Sequence, residues 1–195
     1  MKAKMNLASQ ILAAIILVLA FNACKSSKKA IKPTDMGETL VEQYCTGSEY
    51  QSSKDYFRAN GVAESMDQSV AKQKALTNAR TLLAQQIQLT VKNVTDNYNK
   101  SVEGNNVEDL EERFETMTRE VTNQTLNGTK IICDKLTKTK EGNYKSYIAI
   151  ELGGDEIANA MRQRLSSDKM LKIDYDYEKF KKTFDEEMKK FSDGQ

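Results

Sequence analysis

Between Ser65 and Lys100 one stretch limits the folds open to this chain. Ala71, Ala75, Ala79, Leu83, Ile87, Val91, Val94 and Tyr98 recur at intervals of four and three, the spacing that lines up side chains on one helix face. Ser65-Met66-Asp67-Gln68 has the form of a capping box ahead of that run, with Ser at the N-cap and Gln at N3. The first three stripe positions are alanines, so this end of the helix can lie very close to whatever it covers. A sheet is the expected partner. A run to Lys100 is long for a globular helix, and the β-branched Thr90, Val94 and Thr95 are expected to loosen its end.

The flanking segments supply that sheet. Thr39–Cys45 (TLVEQYC) reads as a short strand and Tyr56–Ala63 (YFRANGVA) as a second, in which Gly61 marks a bulge or a close approach. Thr129–Thr139 alternates, turns at Glu141-Gly142-Asn143 and returns as Tyr144–Leu152, the pattern of a β-hairpin. Ser146, Ile148, Ile150 and Leu152 share one face of the return strand and are expected under the alanine stripe. Gly104 and its asparagine neighbours break the helical pattern between residues 101 and 106, with Asn105 and Glu108 as caps for a second helix. Val107, Leu110, Phe114, Met117 and Val121 mark its apolar face, completing a helical hairpin. Beyond Gly153-Gly154 come a helix carrying Ile157, Met161 and Leu165 and a last one from Asp174 to about Ser192. The expected architecture is α+β: a small antiparallel or mixed sheet of about four strands, covered by the long helix and the helical hairpin, with C-terminal helices.

The N-terminus has a different character. A basic start (Lys2, Lys4) precedes an unbroken apolar run from Ile11 to Phe21, and Asn22-Ala23-Cys24 comes next. A charged n-region, an apolar h-region and a small residue at the cut are the parts of a secretory signal peptide. The run has 11 residues, whereas a membrane-spanning helix needs about 20. Phe21-Asn22-Ala23-Cys24 resembles the lipobox read by the bacterial lipoprotein signal peptidase. That resemblance implies removal of residues 1–23 and lipid on Cys24, and hence a membrane as the first partner. Residues 24–38, with four lysines and the sole proline, are expected to be a lipidated tether that spaces the domain from the bilayer. An α+β domain over 39–173 and a C-terminal amphipathic helix over 174–195 complete the division.

The cut leaves 27 basic against 28 acidic residues, a net charge of −1. That balance lacks the basic excess of a nucleic-acid binder. With no histidine anywhere, the usual general base near neutral pH and the commonest transition-metal ligand are missing. No catalytic residue, metal site or cofactor is expected. Asp134, Asp155, Glu156 and Asp174 show no pairing in their spacing and read as solvated or helix N-terminal charges. With Cys24 lipidated, Cys45 and Cys133 remain as an even pair in an oxidising compartment. They form either a disulfide or two buried free thiols.

Gly61-Val62-Ala63-Glu64, AKQKALTNARTLLAQQI from Ala71 to Ile87, and TLNGTKIICDKLTKTKEGNYKSYIAIEL from Thr125 to Leu152 together resemble the twenty-kilodalton bacterial outer-membrane lipoprotein family. The flagellar assembly protein T N-terminal domain is a more distant likeness. The resemblance covers about Tyr56–Leu152 and implies an envelope domain without established enzymatic activity. The expectation is a lipid-anchored, non-enzymatic cell-envelope protein on the periplasmic face of the outer membrane. It would make protein contacts with an envelope partner or a second copy of itself. The alternative is a periplasmic module binding a small peptidoglycan or lipid fragment between the long helix and the sheet. Tyr177, Phe180, Phe184 and Phe191 mark one stripe of the last helix. It either packs on the helix bearing Ile157, Met161 and Leu165, offers an interaction surface, or lies on the membrane.

Overall fold

A computed structural model describes residues 41–99, 107–167 and 177–193. Strand β1 (Tyr56–Ser65) leads into helix α1 (Gln68–Asn99), followed by α2 (Val107–Thr125), β2 (Lys130–Lys138), β3 (Tyr144–Gly153), α3 (Gly154–Ser167) and α4 (Tyr177–Asp193). The fold is α+β, with a three-stranded antiparallel sheet in the order β1-β3-β2. The hairpin strand β3 is central and the most deeply buried of the three, with Ile148, Ala149, Ile150 and Leu152 all buried.

The fourth strand expected at Thr39–Cys45 is not seen over its described residues: 41–43 have no regular structure and Tyr44-Cys45 is a turn. Cys45 sits at φ 61°, a left-handed conformation that cannot continue a strand. The free edge of β1 is covered in another way. The Ser52 hydroxyl accepts the Arg58 N–H at 2.8 Å and lies 3.1 Å from the Arg58 carbonyl, and the Asn78 amide donates to the Val62 carbonyl at 3.0 Å. Two side chains thus stand where a neighbouring strand would hydrogen-bond. The β2 edge carries lysines at 130, 135 and 138 and a register break between Ile131 and Cys133, both devices that discourage edge pairing.

The start of α1 also differs from expectation. Asp67, not Ser65, caps it: the Asp67 carboxylate accepts the Val70 N–H at 2.9 Å, and the Ser65 hydroxyl accepts the Asp67 N–H at 3.2 Å. β1 continues to Ser65, opposite Tyr144, so Ser65 belongs to the sheet and the helix begins two residues later. The break at 101–106, Lys100 and the proposed cap Asn105 lie outside the described residues, as do Asp174 and the side chains of Tyr98, Val107, Glu108 and Leu110.

α1 meets the sheet at Gly61. A Cβ added there would stand 2.2 Å from the Ala75 carbonyl oxygen and 2.6 Å from the Ala79 nitrogen. The register through Gly61 is unbroken, so the glycine marks a close approach and not a bulge. Ala71, Ala75 and Ala79 are fully buried there, and Ser146, Ile148, Ile150 and Leu152 face the helix from β3 as expected. Toward its C-terminal end the stripe changes to Leu83, Ile87, Val91 and Val94, and these join Phe114, Met117 and Val121 of α2, Ile157, Met161 and Leu165 of α3, and Phe180, Phe184 and Met188 of α4 in one core.

Both clashing atoms at Gly61 are backbone, so the strain of a larger residue cannot be relieved by a rotamer change. Gly61→Ala is expected to lower stability by about 2–3 kcal/mol, read as a reduced urea midpoint at unchanged slope.

Candidate functional site

Each candidate residue from the sequence has a definite place, apart from Cys24 and Asp174, which lie outside the described residues. Cys45 and Cys133 are joined as a disulfide, with Cα atoms 5.7 Å apart. Cys133 is on β2 opposite Ala149 of β3, on the sheet face turned away from α1. The bridge therefore fastens the incoming chain to that second face. A small cluster forms there from Cys45, Cys133 and Ala149, flanked by Tyr50, Ile132 and Tyr147. Tyr44 and Tyr147 meet edge to face with centroids 5.4 Å apart, and the Lys145 ammonium lies 5.6 Å from the Tyr147 ring centre. Farther along the same face Arg58 pairs with Glu151 at 3.1 Å and lies over the Tyr56 ring. The β2–β3 turn adds Glu141. Its own backbone N–H, and then the Thr139 hydroxyl, hold this exposed carboxyl below the usual carboxylate range.

The aromatic stripe of α4 is divided. Phe180 and Phe184 are fully buried, and Tyr177 and Phe191 are partly exposed. Phe57 of β1 contacts both Phe184 and Phe191 edge to face, at 6.3 and 6.0 Å. The expected partner of α4 was α3. The helix instead packs mainly on α1 and on Phe57, with α3 contributing lesser contacts such as Arg162 over the Tyr177 ring. Phe180 and Phe184 are thus core residues and not an interaction surface, and α4 belongs to the same compact unit, residues 43–195. Asn97 of α1 donates to the buried Glu187 at 3.0 Å, and Lys190 donates to the same carboxylate. Sequence periodicity revealed the stripe. What it faces depends on where α1 ends, and no local signal carries that.

The carboxylates remain unpaired with one another. Asp134 meets Lys72 of α1, and Asp155 meets Lys181 of α4 at 3.2 Å. Partial burial lowers the Lys181 pKa, but Asp185 and Asp155 outweigh it and the net shift is upward. A raised lysine pKa means that the pair stabilises the fold at neutral pH and fades as pH climbs through the lysine range.

The expected groove directly between α1 and the sheet is closed, because the alanine stripe rests on Gly61. Two hollows flank it. One of about 320 Å³ separates α1 from α2 and is lined by Gln88, Leu89, Lys92, Thr95, Phe114 and Thr118 among others. The other, about 600 Å³ and more open, lies beside the β1 edge among Tyr50, Arg58, Asn60, Leu82, Gln86 and Phe191. The Thr95 and Thr118 hydroxyls on the floor of the first donate to carbonyls of their own helices. Neither hollow gathers tyrosines and carboxylates together. Among the described residues no helix is long and apolar enough to cross a membrane.

Comparison with models of known protein families and with the sequences of curated proteins finds no match for this chain.

Two outcomes are expected. Phe184→Ala is expected to destabilise by about 3–5 kcal/mol, while Tyr177→Ala, at a partly exposed ring, costs much less; thermal or urea unfolding of the two variants gives the comparison. Replacing Cys45 and Cys133 together by alanine is expected to cost up to about 4.5 kcal/mol, the loop-entropy value for this span. The far-UV spectrum should be retained, and the wild-type chain should gain two hydrogens in mass on reduction.

Proposed function

We propose that this chain is a lipid-anchored cell-envelope protein whose α+β domain has a structural or protein-contact role and no enzymatic one. The observation that carries the reading is the N-terminal sequence: an apolar run, Ile11 to Phe21, too short to span a bilayer and followed by Asn22-Ala23-Cys24. Cleavage there would leave a cysteine for diacylglycerol and an acyl chain, and two or more chains hold stably where one does not. The Cys45–Cys133 bridge supports passage through an oxidising compartment, since disulfides persist there and are rare in the cytosol. The resemblance of Tyr56–Leu152 to outer-membrane lipoproteins of about twenty kilodaltons supports the same compartment.

Lys25 follows Cys24, where an aspartate commonly signals inner-membrane retention in bacterial lipoproteins. No acidic run adjoins the cysteine of the kind that sends some to the cell surface. The proposed location is therefore the periplasmic face of the outer membrane. The partner is an envelope protein or a second copy of the chain.

Expression with radiolabelled palmitate tests the anchor. Label is expected in the wild type and absent from Cys24→Ser, which should leave the membrane fraction. Unlabelled wild type, or a Cys24→Ser variant that still sediments with membranes, would refute it. Affinity purification of the lipidated protein tests the contact role.

A further inference from the structure

A second stripe of α1 faces away from the core. Lys74, Leu82, Gln85, Leu89 and Asp96 follow one another on it at steps of eight, three, four and seven residues. Asn78 and Lys92 fill the gaps in the same series. This is the period of a seam between paired helices, with apolar residues seven apart and one position between them. All seven are exposed except the half-buried Asp96. Leu82 is 46% and Leu89 62% exposed, although nothing in the domain's own packing calls for leucine there. Gln85 and Leu89 line both hollows beside α1, and Leu82 lines the larger. The stripe is therefore a ridge with a recess on each side. Its flank is held in place: the Asn78 amide donates to the Val62 carbonyl, and Gln86 accepts the Ser52 hydroxyl at 3.2 Å. Lys74 and Asp96 have no ion-pair partner among the described residues.

We propose that this ridge is the contact between two copies of the chain, α1 against α1, antiparallel about a twofold axis at Gln85-Gln86. The stripe is complementary to itself in that arrangement. Leu82 meets Leu89 of the second copy, and the twofold repeats the pair. Lys74 falls opposite Asn97 of the second copy, one residue from its Asp96. That offset is about 1.5 Å along the axis, which a lysine side chain spans. Gln85 meets the glutamines of the second copy, and an amide both donates and accepts. A parallel, in-register pair instead sets Lys74 against Lys74 and Asp96 against Asp96, and like charges oppose it. The recess beside each ridge receives the leucines of the other copy, as knobs enter holes between paired helices. The inference rests on the protein-contact part of the proposed function and makes the second copy the partner. A seam about 33 Å long and one helix (~10 Å) wide gives less than the roughly 800 Å² that each partner contributes to a standard interface. The contact is weak between free chains. Chains held on one membrane have a raised effective concentration, which populates it.

The test is cysteine crosslinking of the full chain in cells, repeated on chain purified in detergent at high concentration. Cys45 and Cys133 are bonded to each other and leave no competing thiol. Under copper–phenanthroline, Gln85→Cys should give a disulfide-linked dimer. Leu82→Cys should link to Leu89→Cys when the two variants are co-expressed with different tags. Gln73→Cys, exposed on α1 but off the stripe, should not link. In the Gln85→Cys background, Leu82→Glu with Leu89→Glu should lower the dimer yield about tenfold or more. Both leucines are exposed, so the melting temperature should be unchanged. Should the glutamates unfold the chain, charge reversal decides: Lys74→Glu or Asp96→Lys alone should lower the yield about threefold, and the two together should restore it. No dimer from Gln85→Cys in either setting overturns the proposal. So does equal linking from Gln73→Cys, or a double reversal no better than the single ones. Crosslinks from Gln85→Cys to a different protein, with none to itself, also overturn it while leaving the contact role intact. A dimer formed by chain whose Cys24 peptide carries no lipid by mass refutes the anchor and keeps the seam.

Discussion

The rest of the structure depends on the contact between the Gly61 backbone and the Ala75–Ala79 turn of α1. A glycine on the strand and alanines on the helix let α1 lie directly on the sheet, which fixes its height and direction over β1 and β3. From that contact α1 continues to Asn99, at about 1.5 Å per residue a rod that also meets α2 and α4. One helix thus serves two neighbourhoods, and its stripe changes accordingly from alanine against the sheet to leucine, isoleucine and valine among helices. Burial of large side chains in that second neighbourhood supplies most of the hydrophobic stabilisation.

The two faces of the sheet are treated differently. The α1 face is sealed by packing. The opposite face receives only a short cover, the chain around Cys45 and the Ser48–Tyr50 turn, held by one covalent bond and the hydrogen bonds of Ser52. The bridge outweighs the unfavourable positive φ of Cys45, a conformation costing on the order of 1 kcal/mol. It also leaves a sheet face that is polar, aromatic and charged around the small Cys45–Cys133–Ala149 cluster, while the main core lies on the other side.

Much of the fold was readable in the residues. The long helix, the hairpin and the stripes at Ile157-Met161-Leu165 and Phe180-Phe184-Met188 follow from spacing, since burial on one face requires a repeat near 3.6 or 2. Errors arose where a local signal had a nonlocal competitor. Thr39–Cys45 is apolar enough for a strand, but the bridge to Cys133 turns the chain at Cys45. Ser65 has the composition of a cap, but pairing with Tyr144 keeps it in β1, and Asp67 takes its place. The hollows beside α1 had no sequence signature, because they are gaps left where separate elements fail to meet closely, and that spacing is set by packing.

The sequence by itself determined the elements, the side each one buries, the even cysteine pair and the N-terminal pattern on which the anchor is proposed. Each of these rests on neighbours in the chain or on simple composition, and periodicity records them directly. Only the tertiary structure decided that the described sheet has three strands, that α4 lies on α1 and Phe57 with Phe180 and Phe184 in the core, and that the chain enters on the sheet face away from α1. Those outcomes depend on which surfaces fit at contact distance once the helix has settled on Gly61, and residue spacing along a chain does not encode distance between its separate parts.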